Sequence, residues 1–352
     1  KELTLWKEAV ILGRKKDEIK DEFPCPYCGT LCSKKNMGKA WETYFDSVLK
    51  KPISMIKTEP VLVNYHFVGS RSENRLANFD IKLLEEIDKI DIINIPLFRL
   101  PVGSEARRND RIGIKYIHQF FTKRNLLCLN KIYEYSKNDI SLLNWFTSSL
   151  INTSKMWKYK PDRKGGNLAG TLYIPSLSIE QNPIEVLRRK ISAFIKTMYY
   201  ERSNSVISIN SATKLSFIDD NSIDYMFIDP PFGANIMYSE LSAIWEGWIK
   251  VHTNNKEEAI INPVQRKTLF EYQNLMNRSF KELYRILKPG KWITIEFSNT
   301  SASVWNSIQN ALQGVGFVVV NVSALDKKQG SFKAVTTTTA VKQDLVITCY
   351  KP

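Results

Sequence analysis

The sequence predicts an α/β fold for its carboxyl-terminal part, residues 201–352, on three observations. Short apolar runs of strand length recur there, amphipathic runs of helical spacing separate them, and two β-rich runs close the chain. Ser205-Val206-Ile207-Ser208-Ile209 reads as the first strand, the polar cluster 219–222 as a turn, and the apolar run 223–228 as the second strand. Residues 237–250 and 269–287 repeat apolar side chains at helical spacing, and Lys288-Pro289-Gly290 ends the second helix as a breaker. Trp292-Ile293-Thr294-Ile295-Glu296-Phe297 follows as a strand. A helix over 304–312, a turn at Gly316, strands over 317–322 and 345–350, and a polar loop at 336–339 complete the order. Strands and helices that alternate and end in a hairpin are the pattern of a mostly parallel sheet, whose ligands bind at the carboxyl ends of its strands.

One such strand end carries unusual chemistry. Tyr225-Met226-Phe227-Ile228 runs directly into Asp229-Pro230-Pro231-Phe232-Gly233. Two ring-locked residues give the chain one stiff path and remove two N–H donors, while their carbonyls still accept. An exocyclic amine such as adenine N6 has two hydrogens; Asp229 and the Pro230 carbonyl can accept one each and aim the nitrogen lone pair at an electrophilic methyl group. Phe232 is placed to stack on the base. Asp-Pro-Pro alone is a common turn, and it is the strand before it and the helix after it that favour the catalytic reading.

From about residue 60 to 352 the chain resembles the site-specific, adenine-type DNA methyltransferases of the N4/N6 amino-methylase superfamily, especially large members with an inserted zinc module. The matching stretches are Phe120-Phe121-Thr122-Lys123-Arg124-Asn125-Leu126, Gly170-Thr171-Leu172-Tyr173-Ile174-Pro175-Ser176 and the run from Asp229 through Leu241. The resemblance implies a Rossmann-like S-adenosylmethionine-dependent methyltransferase sheet, S-adenosyl-L-methionine as donor, and DNA as substrate. It further implies a restriction-system companion as a possible partner. It makes Asp229, Pro230, Pro231 and Phe232 the catalytic motif, with Gly233, Asn235, Tyr238 and Glu240 on the substrate side. Beside the donor it places Thr122, Arg124 and Asn125 at a helix start, with Asn210 and Ser211 just past a strand.

The family's Phe-x-Gly-x-Gly donor loop is found nowhere in the 352 residues, and the chain begins with Lys1. The expectation is a fragment that holds the carboxyl-terminal catalytic half, with the strand ending at Asp229 lacking one neighbour. The cysteines point the same way. Cys25-Pro26-Tyr27-Cys28-Gly29 has the spacing of a zinc knuckle, with Cys25 and Cys28 as two ligands. The resemblance places the partner pair just upstream of Lys1, and Cys32 or His66 is the stand-in for a complete site within the chain. Cys128 lies in an apolar run and reads as a buried structural thiol. Five cysteines do not make a disulfide scaffold, which fits a reducing cytoplasm.

Charge bounds the partner. Fifty Lys and Arg against 36 Asp and Glu leave a net charge of +14, which favours a polyanion. No run reaches about 18 apolar residues, so no membrane span is expected. In residues 155–166, Trp157, Lys158, Tyr159, Lys160 and Arg163 interleave cations with aromatics and form a candidate DNA contact, a solvated loop being the alternative. Arg188-Arg189-Lys190 reads as the wet face of a helix. The organisation expected is a partial zinc-knuckle insertion over 1–58, a mixed and largely helical region over 59–200 bearing substrate and donor contacts, and the catalytic half over 201–352. Cytosine N4, an RNA or protein amine, and an inert nucleic-acid-binding module are the alternatives to adenine N6.

Overall fold

The computed structural model describes residues 1–92, 94–95, 97–198, 204–298, 302–326 and 343–352. The loop expected at 336–339 lies outside them, as does the His66 side chain. After α1 (Leu5–Ala9) the amino-terminal region is a series of antiparallel hairpins. In it β1 (Val10–Ile11) pairs with β2 (Glu18–Ile19), β3 (Glu22–Pro24) with β4 (Leu31–Ser33), β5 (Trp41–Asp46) with β6 (Lys51–Ile56), and β7 (Leu62–Phe67) with β8 (Ser70–Arg75). Residues 1–58, poor in pattern as a sequence, thus carry short antiparallel hairpins joined by turns and coil.

Helices follow: α2 (Asn78–Lys89), α3 (Ser104–Arg108), α4 (Lys123–Ser136), α5 (Ile140–Thr147), α6 (Leu150–Thr153) and α7 (Pro183–Met198). The Thr122 hydroxyl caps α4 by accepting from the Asn125 N–H at 3.3 Å. The remaining elements are β9 (Ile223–Ile228), α8 (Tyr238–Ile249), α9 (Leu269–Ile286), β10 (Leu287–Phe297), α10 (Ala302–Val315), β11 (Val318–Asp326) and β12 (Gln343–Lys351). Among the described residues no helix is long and apolar enough to cross a membrane.

The four carboxyl-terminal strands form one sheet in the order β11-β12-β10-β9. Only β9 and β10 run parallel, in a register that aligns Tyr225 with Trp292 and Ile228 with Ile295. β12 returns antiparallel between β10 and β11, so the described sheet is mixed rather than mostly parallel. The chain takes its crossover through α8 and α9, which forces a parallel return, and then closes with a hairpin. Among the described strands β9 stands at the sheet edge. The strand expected at 205–209 does not form: this stretch is extended coil with Ile207 95% exposed. A strand exists only through a partner that takes its N–H and C=O groups, and none of the described strands lies beside it.

One face of the sheet is covered. Met226, Ile293, Ile295, Ile347 and Cys349 pack under Tyr272, Met276 and Phe280 of α9 and Ile308 and Leu312 of α10. A second core gathers Phe98, Phe120, Leu129, Phe146 and Leu150, and α8 belongs to it through Ala243, Ile244 and Trp248. Trp248 meets Phe146, Tyr133 and Phe121 edge-on, with centroids 5.2, 5.5 and 6.1 Å away. The loop from β9 to α8 therefore spans two cores, one at each of its ends.

Candidate active site at the end of the edge strand

β9 alternates as a strand covered on one face must, with Met226 buried and Tyr225 and Phe227 exposed. Asp229 continues that alternation and is exposed, while Pro230 is buried and Pro231 and Phe232 are half-buried. The Tyr272 hydroxyl donates to the Pro231 carbonyl at 2.8 Å. Phe232 packs edge-to-face on Phe297, with centroids 5.4 Å apart and planes at 89°. Gly233 turns the chain at φ 76°, where a side chain would be strained, and its carbonyl accepts from the Ile261 N–H at 3.2 Å. Asp229, a turn fixed from outside and an aromatic ring held at one edge thus share the strand end.

The start of α8 is clamped as firmly. Glu258 accepts from the Ser239 N–H at 2.9 Å and from its hydroxyl at 2.6 Å. Glu240 is fully buried; it accepts from the Ala106 N–H at 2.6 Å and the Asn262 amide at 2.9 Å, tying α8 to α3. A Cβ at Gly103 would collide with this carboxylate, which explains that glycine. Burial pushes the Glu240 carboxyl up, and the bonds from Ala106 and Asn262 oppose the rise. Both of its oxygens are occupied within the protein, so Glu240 ties α8 down rather than meeting a substrate. Tyr238 lies beside Asp229: burial first and then the Asp229 charge push its phenol up. Asn235 is exposed on the same loop.

The residues expected to hold the donor are placed differently. Arg124 grips Glu180 through Nε at 3.0 Å and Nη2 at 2.6 Å, and buried Asn125 donates to the Thr153 and Gln181 carbonyls at 2.8 and 2.9 Å. With Thr122 as the cap, all three join α4 to neighbouring chain. Asn210 and Ser211 are exposed, and the Ser211 hydroxyl meets that of Thr213 at 2.8 Å. Among the described residues no hydrogen bond joins Asn210 or Ser211 to Thr122, Arg124 or Asn125.

The basic segment divides by strand alternation. Lys158 bridges to both Gly166 and Ser178, which makes the segment extended; Trp157 and Tyr159 turn inward while Lys158 and Lys160 face water. The Tyr159 hydroxyl donates to Asp17, and Arg163 grips the same carboxylate through Nε at 2.8 Å and Nη2 at 2.5 Å. The Trp157 ring packs under Gly165, where a Cβ would strike it. Lys158 and Lys160 are exposed, Trp157 and Arg163 half-buried, and Tyr159 buried. The period-two order Trp-Lys-Tyr-Lys was the signal for this division.

Cys25 and Cys28 flank a tight turn between β3 and β4. Gly29 adopts φ 72° and its N–H reaches the Cys25 carbonyl at 2.9 Å, the backbone a knuckle requires. The Thr30 hydroxyl and amide lower the Cys28 thiol, whereas burial and the neighbouring Cys25 and Cys28 raise that of Cys32. Among the described residues no group of three or more His, Cys, Asp or Glu is arranged to hold a metal ion. The turn is present, and the described residues around it add no further metal-binding group. Cys128 is half-buried on α4, with burial raising its thiol.

Tyr272, Glu258 and Asn262 escaped the sequence reading. Asn262-Pro263 is a turn signal and Thr268-x-x-Glu271 a capping box, both readable; that Tyr272 reaches Pro231 was not. A cavity of about 670 Å³ lies elsewhere, lined by Phe98, Tyr133, Lys137 and His252 among others, and includes none of the motif.

No protein-family model matches the chain, and no curated protein matches it. Among solved structures it is similar to a candidate DNA modification methylase from Thermus thermophilus complexed with S-adenosyl-L-methionine. That match has 15% identity and a TM-score of 0.25, and covers 41% of this chain and 54% of the other. A methyltransferase from Methanosarcina mazei described as SAM-dependent matches at 12% identity and TM-score 0.24, covering 45% and 76%. A candidate methyltransferase from Haloferax volcanii, in complex with the activator Trm112, matches at 13% and 0.25, covering 60% and 79%. The chain spans about half the length of the Thermus protein. At such TM-scores these likenesses decide nothing about this chain.

Proposed function

We propose that this chain carries the base-holding part of an S-adenosyl-L-methionine-dependent DNA methyltransferase that acts on an exocyclic amine, adenine N6 in the first place. The observation that carries the reading is the exposed Asp229 carboxylate at a strand end, followed by a proline turn fixed from outside. Asp229 accepts one amine hydrogen and the Pro230 carbonyl the other, which turns the lone pair outward. Phe232, held at one edge by Phe297, offers a face to a base that has left the duplex. The amine loses its proton after transfer, so no general base is needed before it. The donor would supply an electrophilic methyl group, and Thr122, Arg124, Asn125, Asn210 and Ser211 are the residues the resemblance offers to hold it. DNA as partner rests on the net charge of +14 and on exposed Lys158 and Lys160. Zinc at Cys25 and Cys28 and a restriction-system companion remain proposals drawn from the resemblance.

The test is methyl transfer from labelled S-adenosyl-L-methionine to DNA, with mass spectrometry of the nucleosides to separate adenine N6 from cytosine N4. Asp229→Ala should lower turnover by roughly a hundredfold or more while DNA affinity holds. Methylation at the wild-type rate in that variant would overturn the assignment. The scattered donor residues favour a second reading, a nucleic-acid-binding module without turnover. DNA binding with no transfer by the wild-type chain would decide for it.

A further inference from the structure

We infer that Tyr272 is a positioning residue of the Asp-Pro-Pro-Phe turn, and that it leaves the Pro230 carbonyl, rather than that of Pro231, to the incoming amine. This rests on the amine-methylation reading above. The turn cannot hold itself, because Pro230 and Pro231 have no N–H to give to a neighbouring strand and β9 already lies at the sheet edge. What fixes it must come from other elements.

Tyr272 supplies that restraint. It sits in the first turn of α9, whose start is set by the Thr268 and Glu271 capping box, and its ring is fully buried in the core beneath the sheet. Its hydroxyl therefore has a fixed position, 2.8 Å from the Pro231 carbonyl. Burial pushes the phenol up, so it keeps its proton and donates at neutral pH. On the far side, the Ile261 N–H holds the Gly233 carbonyl at 3.2 Å. Between β9 and Gly233, the Pro230 carbonyl accepts from no donor among the described residues. The Pro231 carbonyl has given one of its two lone pairs to the phenol, whereas no described donor takes one from the Pro230 carbonyl, which beside Asp229 completes the two-acceptor set an amine needs.

Tyr272→Phe keeps the ring and the core volume and removes only the donor. Hydrogen exchange of peptides from this chain, read by mass spectrometry, tests the clamp independently of activity. Exchange in a peptide spanning 226–236 should quicken by on the order of tenfold, the scale of one buried hydrogen bond, with β10 and the end of α9 unchanged. Unchanged exchange at 226–236 would overturn the inference. Steady-state methylation tests the amine role: kcat should fall about tenfold while KM for DNA stays within about twofold. A purely structural tyrosine would lower the amount of folded enzyme and leave kcat per folded molecule alone. If the turn loosens and kcat does not move, the amine role is overturned. If the wild-type chain transfers no methyl group, the methylation reading falls with that role, and the exchange result alone decides whether Tyr272 clamps the turn.

Discussion

Asp17 is nearly fully buried, 3% exposed, and accepts from Arg163, Tyr159 and the Gly13 N–H. The Arg163 guanidinium comes first among the causes that hold its carboxyl at about 2 rather than the ordinary 3.8. A carboxyl depressed on folding adds stability above its unfolded value and loses it as pH falls toward the folded one. The chain should therefore lose about 2 kcal/mol between pH 4 and pH 2 from this residue. Asp17→Asn should cost a similar amount at pH 7 and flatten that window; equal acid sensitivity of variant and wild type in urea unfolding would refute the assignment. The same contacts tie Tyr159 and Arg163 to Asp17. The inward turn of Tyr159 was readable from the alternation Trp-Lys-Tyr-Lys, but its partner was not, because Asp17 lies more than a hundred residues away from both Tyr159 and Arg163. Glu240 was misread toward the substrate for the same reason: Ala106 and Asn262 are distant in the chain and adjacent in space.

Elements whose signals are local were legible. The helices expected at 237–250 and 269–287 appear as Tyr238–Ile249 and Leu269–Ile286, since spacing and capping residues act within a turn or two. The final strands appear longer than read, because pairing between β11 and β12 carries both beyond their most apolar residues. The end of β12 shows what locality cannot supply. The buried Lys351 ammonium donates to Asn221 Oδ1 at 2.7 Å and to the Tyr284 and Leu287 carbonyls at 2.7 and 2.6 Å, and it lies 4.5 Å from the Tyr284 ring centroid. Burial lowers its pKa, yet three acceptors hold it in place. It pins β12 to the junction of α9 and β10. Lys351→Met should cost roughly 2–4 kcal/mol by leaving those acceptors unpaired. A midpoint in urea equal to that of the wild type would show that the ammonium does not stabilise this junction.

At the scale of the molecule, the described sheet is covered on one face and bare on the other. Tyr225, Trp292 and Tyr350 stand in register across three strands, and Trp292 and Tyr350 lie 5.1 Å apart on that bare face. With β9 at the edge and Val206, Ile207 and Ile209 almost wholly exposed, the chain presents unpaired backbone and apolar side chains together. Such a surface invites strand-to-strand association. Ile207→Lys should delay concentration-dependent light scattering and, because Ile207 buries nothing, shift stability by no more than about 0.5 kcal/mol. Scattering equal to wild type would place the sticky surface elsewhere. The order of residues was enough to read the alternation of strands and helices, the strand that runs into Asp229-Pro230-Pro231-Phe232, and the knuckle turn at Cys25 and Cys28, because periodicity, breakers and motif spacing are properties of neighbouring residues. Folding alone decided which side chains are free to act. Tyr272 on Pro231, Asp17 on Arg163, and Glu240 on α3 join residues 41 to 146 positions apart, and a side chain's chemistry depends on what fills the space around it.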